Sequence, residues 1–529
     1  MAFIGTLHGY ILKKKVYFYQ NYSGLKNDQF VLRSWHIYVA LLMGTIVRLA
    51  YGIYAQNWMS APDQIAWQLS IDEAVANGAI SYRSLIHYPH EGGSIFISLI
   101  AICLKPFENL MPPLSLAALL IELFGRYIQI KFTQRLFGSK VAGWFAVWTI
   151  LSIPLVLPWA TLNFGLHSLL SFLPFVFLYY LTQYQSKYSK FLLCGIITGL
   201  SLSLSYNSMI FIPAFIVYTF FTLTDIKKSL ICISKYLVFT FLTLIPHLAA
   251  RYFLDSGFNL QDDPVFSIRG LTAEGTMSGE QLSNFIVSWH RVLPASFLLS
   301  SISFISTYLQ RDLVFVFFMI TVVLISVRFR NNNTAIYSAL LLVFLYLLFY
   351  ALSPFYADEI DMKSYVYYRH ITYIAPLIAM IMIYAFGRFK SLNLYLLIPF
   401  LLICGTGSIM LITETETRTN TTYDAAGWVL AQKYGDDVEK LMSIHAIAPE
   451  NEKKELMSGY GWGLTAVILN DKSGNDSMSV NQLLLILNKF PSVQQELLYE
   501  GVNHAFNKNI TPQLDPQLLI LLEKKWEIK

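Results

Sequence analysis

The densest group of side chains able to do chemistry lies in APDQIAWQLSIDEAVANGAISYRSLIHYPHEGGS, residues 61 to 94, which holds Asp63, Asp72, Glu73, His87, His90 and Glu91. Carboxylates and imidazoles take and return protons, so such a set could deprotonate a hydroxyl. Late in the chain Arg369 and His370 stand beside Tyr365, Tyr367 and Tyr368. The planar fork of an arginine binds two oxygens of a phosphate at once.

The elements that must position these residues follow from composition. Of 529 residues, 55% are hydrophobic and 13% charged, and mean hydropathy is positive, a balance that water-soluble domains do not reach. Apolar runs of roughly 17 to 25 residues recur, long enough to cross a bilayer core of about 30 Å as helices. The expected class is therefore an all-α, polytopic transmembrane bundle. The net charge of +5 is spread over short loops and implies no nucleic-acid partner. Cys103, Cys194, Cys232 and Cys404 lie in apolar segments without metal spacing and read as small hydrophobes.

Lysines 13 to 15, Lys26 and Arg33 precede the first apolar run, which puts residues 1–33 in the cytoplasm. Basic loops at 131–140, 183–190, 225–228, 328–333 and 387–390 should also be cytoplasmic. Eleven spans between residues 34 and 412 satisfy these anchors, thirteen if 94–104 and 291–309 also cross. Either count leaves loops 55–93, 253–290 and 354–369 and the tail, 413–529, outside. The tail is a composition shift into a polar helical domain, with Trp428, Leu430, Leu441, Trp462 and Leu464 as expected core. Within it SGYGWGL (458–464) and EGVNHAF (500–506) share a small-residue pattern about forty residues apart, close to the period of helical-hairpin repeats.

The individual residues each admit two readings. Asp63 follows Pro62 at the start of a helical pattern that ends at Asn77-Gly78, and serves either as an N-cap or as a base held at the membrane surface. Asp72 and Glu73, in mid-helix, read as a solvated face. In HYPHEGGS the glycine pair lets backbone amides approach an anion, and His90 with Glu91 could ionise an acceptor or hold a divalent cation; the alternative is a flexible turn before the next helix. Arg48, inside the first apolar run, and Arg369 read as snorkelling side chains or as ligands of a bound anion. Glu122 and Arg126 are spaced as an intrahelical pair. Asp358, Glu359 and Asp361 lack the spacing of a recognised cation site, so no metal is assigned.

Taken in order, PDQ, NG and YPHEGG resemble the first external loop of the GT-C membrane glycosyltransferases, in the branch of the lipid A aminoarabinose transferases and protein O-mannosyltransferases. There the loop begins Pro-Asp-Glu, passes a helix to a Ser-Gly pair and reaches a His- or Lys-Pro-Pro turn. RYIQIKFTQRLFGSKVAGWF, FLLCGIITGLSLSLSYNSMIFIPAFIVY and YVYYRHITYIAP are similar to later stretches of that family. Gln64 and the altered HYPHEGGS turn depart from its pattern. The resemblance implies a GT-C bundle with an extracytoplasmic helical domain at 413–529, in a bacterial inner membrane. It implies transfer of a sugar from a polyprenyl phosphate donor to a lipid, glycan or protein acceptor outside. Asp63 and Glu91 would be catalytic, and Arg48, His90, Arg369 and His370 substrate-binding. No cofactor is implied beyond an optional divalent cation, and the partners would be membrane lipids and a protein bound through 413–529. Two other classes remain: a lipid or oligosaccharide transporter, which should carry charge at mid-membrane, and a catalytically silent scaffold subunit of an envelope complex.

Overall fold

The computed structural model describes residues 34–55, 62–86, 92–151, 169–182, 189–223, 225–254, 321, 334–351, 373–387, 395–402, 422–435, 437–470 and 476–507. Every regular element among them is a helix, in agreement with the all-α expectation. The chain divides into two compact units. One comprises 1–56, 88–96 and 118–415, and the other 57–87, 97–117 and 416–529.

The larger unit contains the apolar helices: α1 (Ser34–Ala55), α6 (Ser139–Leu151), α7 (Leu173–Thr182), α8 (Ser189–Leu204), α9 (Phe211–Thr222), α10 (Ile226–Leu254), α11 (Thr334–Ala351) and α12 (Ala375–Gly387). Two further helices, α4 (Gly93–Leu104) and α5 (Pro113–Phe137), run from one unit into the other. Among the described residues Pro113–Phe137 and Ile226–Phe253 are long and apolar enough to cross a membrane, and most of the others are shorter apolar helices. At twelve residues α4 is about 18 Å long, well short of a bilayer core. On α10 the side chains of Leu230, Leu237, Val238, Phe241 and Ile245 are exposed, a surface that suits lipid contact.

Several buried polar groups of this unit are paired with one another. Glu122 and Arg126 form the expected intrahelical ion pair at 3.3 Å. Arg126 also donates to Gln129 at 3.1 Å, and Gln129 donates to Ser171 at 3.0 Å, so one buried chain of bonds joins α5 to the turn before α7. Gly195 and Gly199 let α8 lie against the backbone of α10: a Cβ at Gly199 would fall 1.9 Å from Thr243 Oγ1.

The smaller unit is built on five helices of the tail, α13 (Thr422–Tyr434), α14 (Val438–Ile447), α15 (Lys453–Asn470), α16 (Asp476–Leu487) and α17 (Ser492–Asn507), together with α2 (Pro62–Ala76) and the single turn α3 (Tyr82–Leu85). Leu430, Leu441 and Leu464 are fully buried in its core, as expected. Trp428 and Trp462 are half-buried and lean on each other, ring centroids 5.7 Å apart.

The glycine pattern of the tail has a packing cause. In α15 Gly459 faces α13 and Gly461 faces α17, so a Cβ on either would meet a backbone oxygen, Asp424 O at 1.9 Å or Leu498 O at 2.0 Å. Gly427 and Gly501 answer them from the neighbouring helices. The likeness between SGYGWGL and EGVNHAF thus comes from two helices that cross each other closely, each needing small residues at the crossing.

Candidate functional site

Helix α2 carries the candidate base. Pro62 takes its first position, where the missing N–H costs nothing, and Asp63 lies in the first turn, half-buried. Asp63 is therefore inside the helix rather than its cap. The C-terminal end is as read from the sequence: Gly78 adopts φ 64°, and Ala79 N–H donates to Ala74 O at 2.9 Å, closing the helix.

Between these ends α2 is enclosed on every side. Ile65, Ala66 and Leu69 share one core with Ala426, Leu430, Leu441 and Ile444 of the tail. On a second face Trp67 Nε1 donates to Ser98 Oγ at 2.8 Å, and Ser98 Oγ donates to Leu85 O at 2.6 Å. On a third, Gln68 accepts from Leu114 N–H at 3.0 Å and donates to Asp72 at 2.9 Å. Lys105 donates to Asp72 at 2.7 Å and also pairs with Glu108. Burial works against the charge of Lys105, but its hydrogen bonds to the two carboxylates prevail and raise its pKa.

The reading of Asp72 and Glu73 as a solvated face is corrected here. Glu73 is 3% exposed and ion-paired with Lys440 of α14, and it accepts from Asn77 at 2.9 Å. Asn77 also donates to Ser443 at 2.8 Å. The counter-charges come from Lys105 and Lys440, far along the chain, so the local pattern could not reveal them. Gln64, beside Asp63, is 2% exposed, and both its amide atoms lack a hydrogen-bond partner among the described residues.

In the other unit Gly92 lies against α10 and the end of α8. A Cβ there would fall 2.5 Å from Ser203 O and 2.7 Å from His247 Nδ1. Close packing therefore accounts for this glycine. His247 and the buried Arg251 stand one turn apart on α10, directly after Pro246. Sequence reasoning passed over both; the available signal was an ionisable pair at helical spacing near the end of an apolar run, where charge is costly unless used.

Of the other expected site residues, His90, Glu91, Arg369 and His370 lie outside the described residues. So do His87, the acids at 358–361 and loop 255–290. Arg48 lies on α1. Among the described residues no group of three or more His, Cys, Asp or Glu side chains is arranged to hold a metal ion.

No family model and no curated protein matches the chain. Two solved structures align with it. One is ArnT from Cupriavidus metallidurans bound to undecaprenyl phosphate, at 13% identity over 87% of this chain and 74% of that one, with a TM-score of 0.46. The other is the same protein in the apo state, at 14% identity, the same coverage and a TM-score of 0.44. At these values the likeness carries no argument about activity.

Proposed function

We propose that the chain is a membrane glycosyltransferase of GT-C type, which moves a sugar from a polyprenyl phosphate donor to an acceptor on the extracytoplasmic face. The observation that carries this reading is the position of Asp63. It stands half-buried in the first turn of α2, directly after Pro62, at the place where the resembling motif has its acid. In this reading the Asp63 carboxylate takes the proton of an acceptor hydroxyl. The oxygen attacks the anomeric carbon, the bond from that carbon to the phosphate oxygen breaks, and the lipid phosphate departs against cations. Arg369 is the proposed phosphate partner, with His370, His90 and Arg48 as further donor contacts and Glu91 as a second acid or base. The N-terminus would be cytoplasmic and the tail extracytoplasmic.

The test is transfer from polyprenyl phosphate sugars by the purified protein. Asp63→Asn keeps the shape, removes the charge and should lower turnover at least about 100-fold. Arg369→Lys should weaken donor binding although the charge is kept, since the two-oxygen fork is lost. Turnover near wild type in Asp63→Asn would leave that residue a helix-dipole role only. No transfer by the wild type with any donor would favour the silent scaffold.

A further inference from the structure

Away from Asp63, three cations gather around one aromatic ring in the smaller unit. Arg83 Cζ from α3, Lys433 Nζ from α13 and Lys440 Nζ from α14 lie 5.4, 5.2 and 5.9 Å from the ring centroid of Tyr434. Among the described residues the carboxylates facing them are Glu73, which pairs with Lys440, and Asp437, which accepts from Lys440 N–H at 3.1 Å and caps α14. Arg83 is exposed and donates to Lys433 O at the end of α13.

A structural explanation covers part of this. Cations at a helix C-terminus meet its unpaired carbonyls and its dipole, which accounts for Arg83. It does not account for Lys433. That ammonium is wholly buried and has no hydrogen-bond acceptor among the described residues. A ring face returns only part of what water would give, so an ammonium kept there without an acceptor is costly. Burial, and then Arg83 and Lys440, push its pKa down to about 7. Among the described residues the cluster thus carries more positive than negative charge where excess charge destabilises the fold, and the component that would balance it is an anion.

The geometry points to an oxyanion site of the phosphate class at Arg83, Lys433 and Lys440, beside Tyr434. With Glu73 set against Lys440 and Asp437 counted as the second carboxylate, the described residues of the cluster keep one net positive charge, centred on Arg83 and Lys433, which suits a phosphate-class anion. Arg83, through the guanidinium donors not held by Lys433 O, and Lys433, as a point charge, would supply the contacts. The group is either a free phosphate or the phosphate of a lipid headgroup. This inference does not rest on the transferase reading and involves none of its residues.

The experiment uses the full-length protein in phosphatidylcholine nanodiscs, titrated with inorganic phosphate and with sulfate, which stays a dianion across neutral pH. Either anion should raise the unfolding midpoint with concentration, as a ligand of the folded state must. Arg83→Gln and Lys433→Met should each weaken binding about tenfold or more, on the scale of one charge-assisted hydrogen bond. Lys433→Met removes a buried unpaired charge, so this variant should fold at least as well as wild type while losing the anion. Sulfate should bind more tightly as pH falls through 7, where Lys433 gains its proton. Nanodiscs containing phosphatidylglycerol separate the sources. A headgroup occupant predicts enrichment of that lipid by the wild type and not by either variant; a free-phosphate site predicts anion binding with no lipid preference. The site is refuted if wild type shows neither anion binding nor lipid enrichment, or if whatever binds is held equally by both variants.

Discussion

Glu73, which is buried, and Lys440, which is partly exposed, stand 367 residues apart in the chain and form an ion pair that ties α2 to α14. Removing one member of such a pair leaves an uncompensated charge, which typically costs roughly 3–5 kcal/mol. Lys440→Met should therefore destabilise the smaller unit strongly. The double variant Glu73→Gln with Lys440→Met should recover much of the loss, because no charge is then stranded. Unfolding midpoints of the four proteins test this; a double variant as weak as the sum of the singles would show that the pair is not the coupling.

The crossing of α15 over α17 is equally specific in its demands. Gly461→Ala would drive a methyl into Leu498 O, and relief requires the two helices to separate. A loss of roughly 1–3 kcal/mol is expected, the scale of overpacking in a close-packed core. Ala substitution at the exposed Gln432, also in a tail helix, is the control and should be nearly silent.

Lys433 sets a pH dependence whose sign can be worked out. Its pKa falls from an ordinary 10.5 to about 7 in the folded protein, by burial first and then by Arg83 and Lys440. Between those values the unfolded chain holds a proton that the folded chain does not, so this residue makes stability rise with pH from about 7 toward 10.5. Lys433→Met should exceed wild type in stability at pH 7 and below, and the gap should narrow as pH rises toward 10. A gap constant across that range would show that Lys433 does not titrate in this way.

The proposed orientation is open to labelling. In a background without the native cysteines, Val493→Cys in the tail and Ile226→Cys at the start of α10 offer exposed thiols. An impermeant thiol reagent on intact cells should label the first and spare the second. The reverse pattern would invert the chain and put Asp63 in the other compartment.

What could be read in the sequence was what depends on neighbours in sequence. Pro62 at the start of α2, the Asn77-Gly78 end and the Glu122–Arg126 pair are all set within one or two helical turns. Leu430, Leu441 and Leu464 obey a helical period. The committed state of Asp72 and Glu73 was not legible, because a helical wheel shows which residues share a face but not what covers it. Here the cover includes helices encoded more than 340 residues later, as the Arg83–Lys433 contact, 350 residues apart, also illustrates. The glycines of α15 were visible as a pattern, but periodicity alone suggested a repeat where the cause is a crossing.

The enclosure of α2 by the tail also sets an order of events at the ribosome. Glu73 and its counter-ion are 367 residues apart, which at 5–20 residues per second is an interval on the order of 20 to 70 s of elongation. For most of that interval Ile65, Ala66 and Leu69 have been translated and the helices they share a core with have not. Until then the newborn segment must be shielded by the insertion machinery, by a chaperone or by the lipid surface. A nascent chain stalled before Lys440 should accordingly be cut by protease within 62–76, and one released after Asn507 should not.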